Sequence, residues 1–160
     1  MIAGSEIVAA LVEMRVTHVV WLPDSTLGTW EAALVQEPSV DLVRVCRAGE
    51  AWAVAAGLHL GGARPLVMIQ NTGLFESGDA LRNVLFDLGL PIYTLVGYRG
   101  YLLTGSTDTA RRFTEPVLAA WGLPTILIQH AGDLPRLAAD YAAMRAGGSP
   151  RVALLAEGTG

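Results

Sequence analysis

Residues 41–70 read DLVRVCRAGEAWAVAAGLHLGGARPLVMIQ, and this stretch decides the fold. Asp41–Cys46 has the β-branched, apolar character of a short strand. Ala48–Leu60 is a helix-length run of small and apolar residues, closed by Gly61-Gly62. Leu66–Gln70 then returns to a strand of near-continuous apolar residues. Strands alternating with helices in this way imply one parallel sheet. Strands without polar alternation are buried on both faces, so helices must cover both sides.

The same alternation extends in both directions. Upstream, Ser5 can cap a helix whose apolar face is Ile7, Val8, Leu11 and Val12. Thr17–Trp21 is a strand stopped by Pro23, and Thr26–Val35 a helix. Downstream, Gly78–Leu88 reads as a helix, and Ile92–Val96 as a strand entering the loop Gly97-Tyr98-Arg99-Gly100. Thr109–Trp121 is a helix with Pro116 as a candidate interruption. Thr125–Gln129 is a strand, Leu134–Arg145 a helix and Val152–Leu155 a last strand. The reading is one domain over residues 1–160: a three-layer α/β/α fold with a mainly parallel six-stranded sheet. Gly147-Gly148-Ser149-Pro150 is a turn, and no linker, repeat or low-complexity segment is present.

Composition narrows the function. Hydrophobic residues make up 52% of the chain, and the mean hydropathy is +0.42. No apolar run reaches the roughly 18 residues of a membrane span. The start, MIAGSEIVAALVEMR, contains Glu6 and Glu13 and has no basic leader, so it does not read as a signal peptide. An apolar excess without a span points to subunit contacts, self-association included. The net charge is −4, and every basic residue is an arginine. No basic stripe favours nucleic acid. The single cysteine, Cys46, is read as a small packed side chain in a reducing cytoplasmic protein. Three scattered histidines without a CxxC do not make a zinc site.

Common α/β motifs are missing. There is no GxGxxG, no GxxxxGK[ST] and no GxSxG. What stands out instead is polar chemistry at the expected carboxyl ends of strands, where parallel sheets bind ligands. Leu22-Pro23-Asp24-Ser25 follows the first strand. Ala48-Gly49-Glu50 follows the second, Gln70-Asn71-Thr72-Gly73-Leu74 the third, and Gly97-Tyr98-Arg99-Gly100 the fourth.

At these residues the sequence resembles the pyrimidine-binding (Pyr) domain of thiamine diphosphate-dependent 2-oxo acid decarboxylases. It is most similar to the α subunit or N-terminal part of the sulfopyruvate and phosphonopyruvate decarboxylases. The matching elements are VVWLPDS at 19–25, RAGEAWAVAAGLHLGGARPLVMIQNTGL at 47–74 and LPIYTLVGYRG at 90–100, within a likeness spanning roughly residues 5–130.

The resemblance makes Glu50 the cofactor-activating glutamate. In that chemistry, a carboxyl group hydrogen-bonded to the pyrimidine N1′ favours the imino form of the 4′-amino group. That group then takes the thiazolium C2 proton. Water would weaken the N1′ bond, so the carboxyl is expected to be buried. From spacing alone, a first-turn glutamate reads more commonly as a solvated partner of the helix dipole. Ala51, Ala53, Ala55, Ala56 and Gly57 fit either plain helix–sheet packing or a tight subunit contact.

The family match further implies cofactor contacts at Pro23, Gln70, Asn71, Thr72 and Gly73. It implies substrate contacts at Asp24, Ser25, Asn71 and Arg99. On its own, Asp24 also reads as an Asx turn or helix cap. Arg99 suits a sulfonate, phosphonate or carboxylate, or an interface ion pair. His18 and His59 read as packed or surface residues.

Two departures stand out. The family's Lys-Asp-Glu-Pro-Gln-His-like segment is replaced by Gly105–Phe113, which brings Arg111 and Arg112 as candidates for an anion or a partner surface. Phe75-Glu76 replace the usual Gly-Asn. The Gly-Asp-Gly motif and Asn pair that hold magnesium and the diphosphate in this superfamily are absent, and a hard cation needs such oxygen ligands. The expectation is an α subunit that binds the pyrimidine end of thiamine diphosphate, while a diphosphate-binding (PP-domain, β) subunit holds Mg2+. The alternatives are a carboligase subunit and a non-catalytic Pyr-like binding or regulatory module.

Overall fold

The computed structural model describes residues 2–25 and 27–157. In chain order they form α1 (Gly4–Glu13), β1 (His18–Trp21), α2 (Glu31–Gln36), β2 (Asp41–Arg44), α3 (Ala48–Leu60), β3 (Pro65–Gln70), α4 (Asn71–Glu76), α5 (Gly78–Arg82), β4 (Tyr93–Tyr98), α6 (Thr109–Ala120), β5 (Thr125–Ile128), α7 (Leu134–Gly147) and β6 (Arg151–Ala156). The six strands form one sheet in the order β2-β1-β3-β4-β6-β5. Every pairing is parallel.

Alternation along the strands builds two cores. Val19, Trp21, Leu66, Met68, Tyr93 and Leu95 pack with residues of α1, α2 and α7 on one face. Val20, Val67, Ile69 and Val96 pack with residues of α3 and with Leu81 and Leu118 on the other. The buried side of α3 is mostly alanine, which brings its backbone close to the sheet. Its one large buried residue, Trp52, donates Nε1–H to Ser77 Oγ at 2.9 Å, so the indole is fully paired.

Several elements differ from the sequence reading for local reasons. Helix α1 begins at Gly4 with Ala3 as its N-cap, not Ser5. Glu6 supplies the cap by accepting the Ala3 N–H at 2.8 Å. Val12 lies on the solvent side. The helix expected over 26–35 is a tight 3-10 turn, Leu27–Trp30, followed by α2; Thr26 lies outside the described residues. Asn71–Glu76, read as a polar loop, is the short helix α4. Strand β4 runs on through Gly97 and Tyr98 because both pair with β6. Helix α5 passes into a wider π turn at Asn83–Asp87. Pro116 sits inside α6 without ending it. The carbonyl it leaves unbonded belongs to exposed Arg112, where water can satisfy it.

Candidate active site

The chain leaves β1 toward β2 at one edge and leaves β3 toward β4 on the other side. A crevice therefore opens between the carboxyl ends of β1 and β3. It holds a hollow of about 380 Å³ lined by Leu22, Cys46, Arg47, Ala48, Thr72, Gly73 and Glu76. A second hollow of about 440 Å³ adjoins it and shares Thr72, with Phe75, Arg99, Asp108, Phe113 and Val117 among its walls. The four loops singled out in the sequence thus converge on one rim.

Helix α3 delivers Glu50 to this rim. The carboxylate accepts the Cys46 N–H at 3.0 Å. This bond fixes the turn between β2 and α3 and covers a donor that the helix start leaves free. The expected burial of Glu50 is not met within the single chain: the residue is exposed. It heads a stripe of exposed α3 residues that continues through Ala53, Gly57 and Leu60.

The other expected residues divide into those at the rim and those held inside. Pro23 and Ser25 are exposed at the end of β1. Asp24 Oδ1 accepts the Leu27 N–H at 2.9 Å, the turn-capping geometry its residue type favours. Gln70 Oε1 accepts the Thr72 hydroxyl at 3.1 Å, which orients Thr72 between the two hollows. Gly73 is buried, and a Cβ there would stand 3.0 Å from the Ala48 Cβ. Glycine thereby lets α4 lie against the first turn of α3. Asn71, expected as a ligand contact, is fully buried. It donates to Thr114 Oγ1 at 3.2 Å and so ties α4 to α6. Its Oδ1 is buried without a partner among the described residues.

Arg99, expected to hold an anion, already has one. Its Nε donates to Asp108 Oδ2 at 2.9 Å. The guanidinium holds the Asp108 carboxyl below the usual range, while Asp108 Oδ1 caps α6 through the Ala110 N–H at 2.9 Å. Arg111 and Arg112, by contrast, have no carboxylate partner among the described residues. Arg111 donates to the Leu103 carbonyl at 2.9 Å. Both line a further rim hollow of about 680 Å³ with Tyr98, Tyr101, Ser106, Thr107, Asp108 and Glu115. Burial, with Glu115 beside it, pushes the Tyr98 phenol up to about 12.

Two residues of the hollow were not legible as site residues. Cys46 is exposed rather than packed, because β2 ends at Arg44 and leaves it in the turn. Glu76 closes the hollow against the start of α3; its only signal was the replacement of Gly-Asn by Phe75-Glu76. His18 lies at the opposite end of the sheet, where its Nδ1 meets Thr17 Oγ1 at 2.8 Å. Among the described residues no group of three or more His, Cys, Asp or Glu is placed to hold a metal ion. Among the described residues no helix is long and apolar enough to cross a membrane.

No family model matches the chain. It is 33% identical over 100 residues to the phosphonopyruvate decarboxylase of Streptomyces viridochromogenes, which covers 62% of this chain and 25% of that protein. It is 29% identical over 98 residues to the sulfopyruvate decarboxylase subunit alpha of Methanothermobacter thermautotrophicus, covering 61% of this chain and 59% of that one. The corresponding Methanococcus maripaludis subunit is 28% identical over 100 residues. The matches thus span about a quarter of the first relative and three fifths of the α subunits. The fold is shared with the 2-oxoglutarate:ferredoxin oxidoreductase of Magnetococcus marinus, at a TM-score of 0.66, 11% identity, and coverage of 96% of this chain and 28% of that one.

Proposed function

We propose that this chain, a homologue of the phosphonopyruvate and sulfopyruvate decarboxylases, is the pyrimidine-binding subunit of a thiamine diphosphate-dependent 2-oxo acid decarboxylase. The observation that carries the reading is the crevice between β1 and β3. Its hollow of about 380 Å³ stands beside the helix turn that bears Glu50.

The residues fit one end of the cofactor. Leu22, Ala48 and Gly73 give the hollow walls with little side-chain bulk, suited to a flat ring, and Thr72 gives it a hydroxyl. The same residues do not suit a diphosphate, since the chain has no lysine and the described residues hold no acidic cluster for magnesium. A β-type partner carrying the diphosphate site and Mg2+ completes the reading. The α-subunit relatives by their names belong to multi-subunit enzymes. When bound, the cofactor supplies a nucleophilic carbon and a sink for the electrons left by departing carbon dioxide.

Glu50 would hold a proton at the pyrimidine N1′. In the free chain its carboxylate is engaged by the Cys46 N–H and wet. A partner lying along the exposed stripe from Glu50 to Leu60 would remove that water, and the small residues Ala53 and Gly57 permit close approach. Arg111 and Arg112, which share their hollow with Asp108 and Glu115 but form no ion pair among the described residues, are better placed than Arg99 to receive an anionic group of the substrate.

The test is reconstitution with a diphosphate-binding subunit, thiamine diphosphate and magnesium. Carbon dioxide release from sulfopyruvate or phosphonopyruvate supports the reading. Carbon dioxide release accompanied by a carboligated product from an added aldehyde, in place of the simple aldehyde product, would instead identify a carboligase. Tight binding of a ligand by this chain alone, with no turnover in the complex, would identify a non-catalytic module.

A further inference from the structure

Six of the eleven arginines pair with a carboxylate within 4.0 Å. The five that do not, among the described residues, fall into two places. Arg111 and Arg112 line the active-site rim. Arg15, Arg64 and Arg145 line one hollow of about 610 Å³ at the opposite end of the molecule. Arg15 follows α1, Arg64 precedes β3, and Arg145 stands in the last turn of α7, so they meet beneath the amino ends of the strands.

Their convergence is not explained by internal bonding. Cations near helix carboxyl ends commonly donate to the last carbonyls, but none of these three side chains makes a hydrogen bond within the described residues. Arg64 and Arg145 both act on the Tyr141 phenol, and Arg145 also acts on His59. The guanidinium groups are therefore near common neighbours rather than dispersed. Glu13 is the one carboxylate in the lining and forms no ion pair among the described residues. Three like charges facing one hollow repel each other unless an anion joins them. With Glu13 counted, two positive charges are left over, the complement of a phosphate dianion, and guanidinium forks match phosphate oxygens in pairs.

We infer that this hollow is a binding site for a small phosphate-bearing anion, remote from the active-site rim. The ligand is either free phosphate or a small phosphate monoester. Both present the same terminal oxygens, so the chemistry of recognition is shared.

Calorimetric titration of the full-length chain at constant ionic strength, with inorganic phosphate in one arm and glycerol phosphate in the other, tests this. Saturable binding with a Kd on the order of a millimolar or tighter is expected. Tighter binding of the ester marks a metabolite site, and tighter binding of phosphate an inorganic anion site. Arg64→Ala and Arg145→Ala should each weaken binding about tenfold, and Arg64→Lys less. Arg15 adopts φ 56°, so Arg15→Gly removes its charge without straining the turn and should weaken binding as well. Glu13→Gln should tighten it several-fold, a result that a purely structural role for the cluster does not give. Arg82→Ala, at a paired arginine that lines neither hollow, should leave the Kd unchanged. No saturable heat with either anion, binding indifferent to Arg64 and Arg145, or binding weakened equally by Arg82→Ala would each overturn the inference.

Discussion

The Glu76 carboxylate and the Gly49 amide join two helices: Gly49 N–H donates to Glu76 Oε2 at 2.9 Å. The other oxygen receives Arg47 Nη2 at 2.6 Å and Nε at 3.1 Å. Glu76 thus acts as an N-terminal anion for α3, supplied by α4 across the hollow. The Arg47 side chain and the Gly49 amide hold its carboxyl below the usual range. A depressed folded-state pKa means the stabilisation is complete above the unfolded carboxyl value and is lost as pH falls through the lower folded value. Glu76→Gln should therefore lower the thermal midpoint at neutral pH, and the gap from wild type should close on acidification below the ordinary carboxylate range. A gap that is constant with pH would show that the charge is not what matters.

A second network lies at the far end of the sheet. Tyr93 donates to Asp140 Oδ2 at 2.8 Å, and Arg151 Nη1 donates to Asp140 Oδ1 at 2.7 Å. The Asp140 side chain is only 10% exposed, so solvent cannot replace it. Asp140→Ala strands a buried phenol and a guanidinium together and should cost about 3 kcal/mol in urea unfolding. Tyr93→Phe removes one neutral donor and should cost about 1 kcal/mol. Burial and Asp140 together push the Tyr93 phenol far above its ordinary value. A raised folded pKa gives stability that is present below the unfolded tyrosine value and lost at higher pH. Wild type should accordingly lose stability above about pH 10, and Tyr93→Phe should lose less. Equal losses in the two proteins would refute the assignment.

Gly97 is the point on β4 where the chain passes under a buried acid. A Cβ there would collide with Glu157 Oε1 and approach Leu27 Cδ1 at 3.4 Å. Glu157 is 4% exposed, so its side chain has little room to yield. Gly97→Ala should destabilise the chain by about 1–3 kcal/mol. Combining it with Glu157→Ala should recover part of the penalty that each single change predicts by addition. Strict additivity would show that the strain lies elsewhere.

The fold was legible because its signals are local and repeated. The bounds of α3 follow directly from Ala48, the small-residue run and Gly61-Gly62. The strands follow from Val, Ile and Leu runs that tolerate no other placement. Helix α4 was not legible: Asn71, Thr72 and Gly73 are poor helix formers, and their helix depends on Asn71 reaching Thr114 and Gly73 fitting against Ala48. The same applies at the site. The strand-end positions of Pro23, Gln70, Thr72 and Arg99 could be read from periodicity. That Arg99 is taken by Asp108, nine residues on, and that Asn71 faces inward to Thr114, 43 residues on, are pairings that no spacing encodes. The exposure of Glu50 is of a third kind: on the proposed function it belongs to a subunit face, where half of its surroundings would lie on another chain.

That last point gives the sharpest separation of fold from function. Glu50 supports the free chain only through the Cys46 N–H, and a glutamine oxygen can accept the same bond. Glu50→Gln should change the stability of the isolated chain by less than about 0.5 kcal/mol, as for other exposed positions. In the reconstituted complex the same change removes the group proposed to hold a proton at N1′, and turnover should fall about a hundredfold or more. Glu50→Asp keeps the acid but shortens its reach, so it should lose activity while retaining more than glutamine does. Circular dichroism melts of the free chain, set beside carbon dioxide release from the complex, read the two effects separately. A fully active Glu50→Gln complex would assign the carboxylate to the helix start alone, and an unfolded free chain would make its role structural.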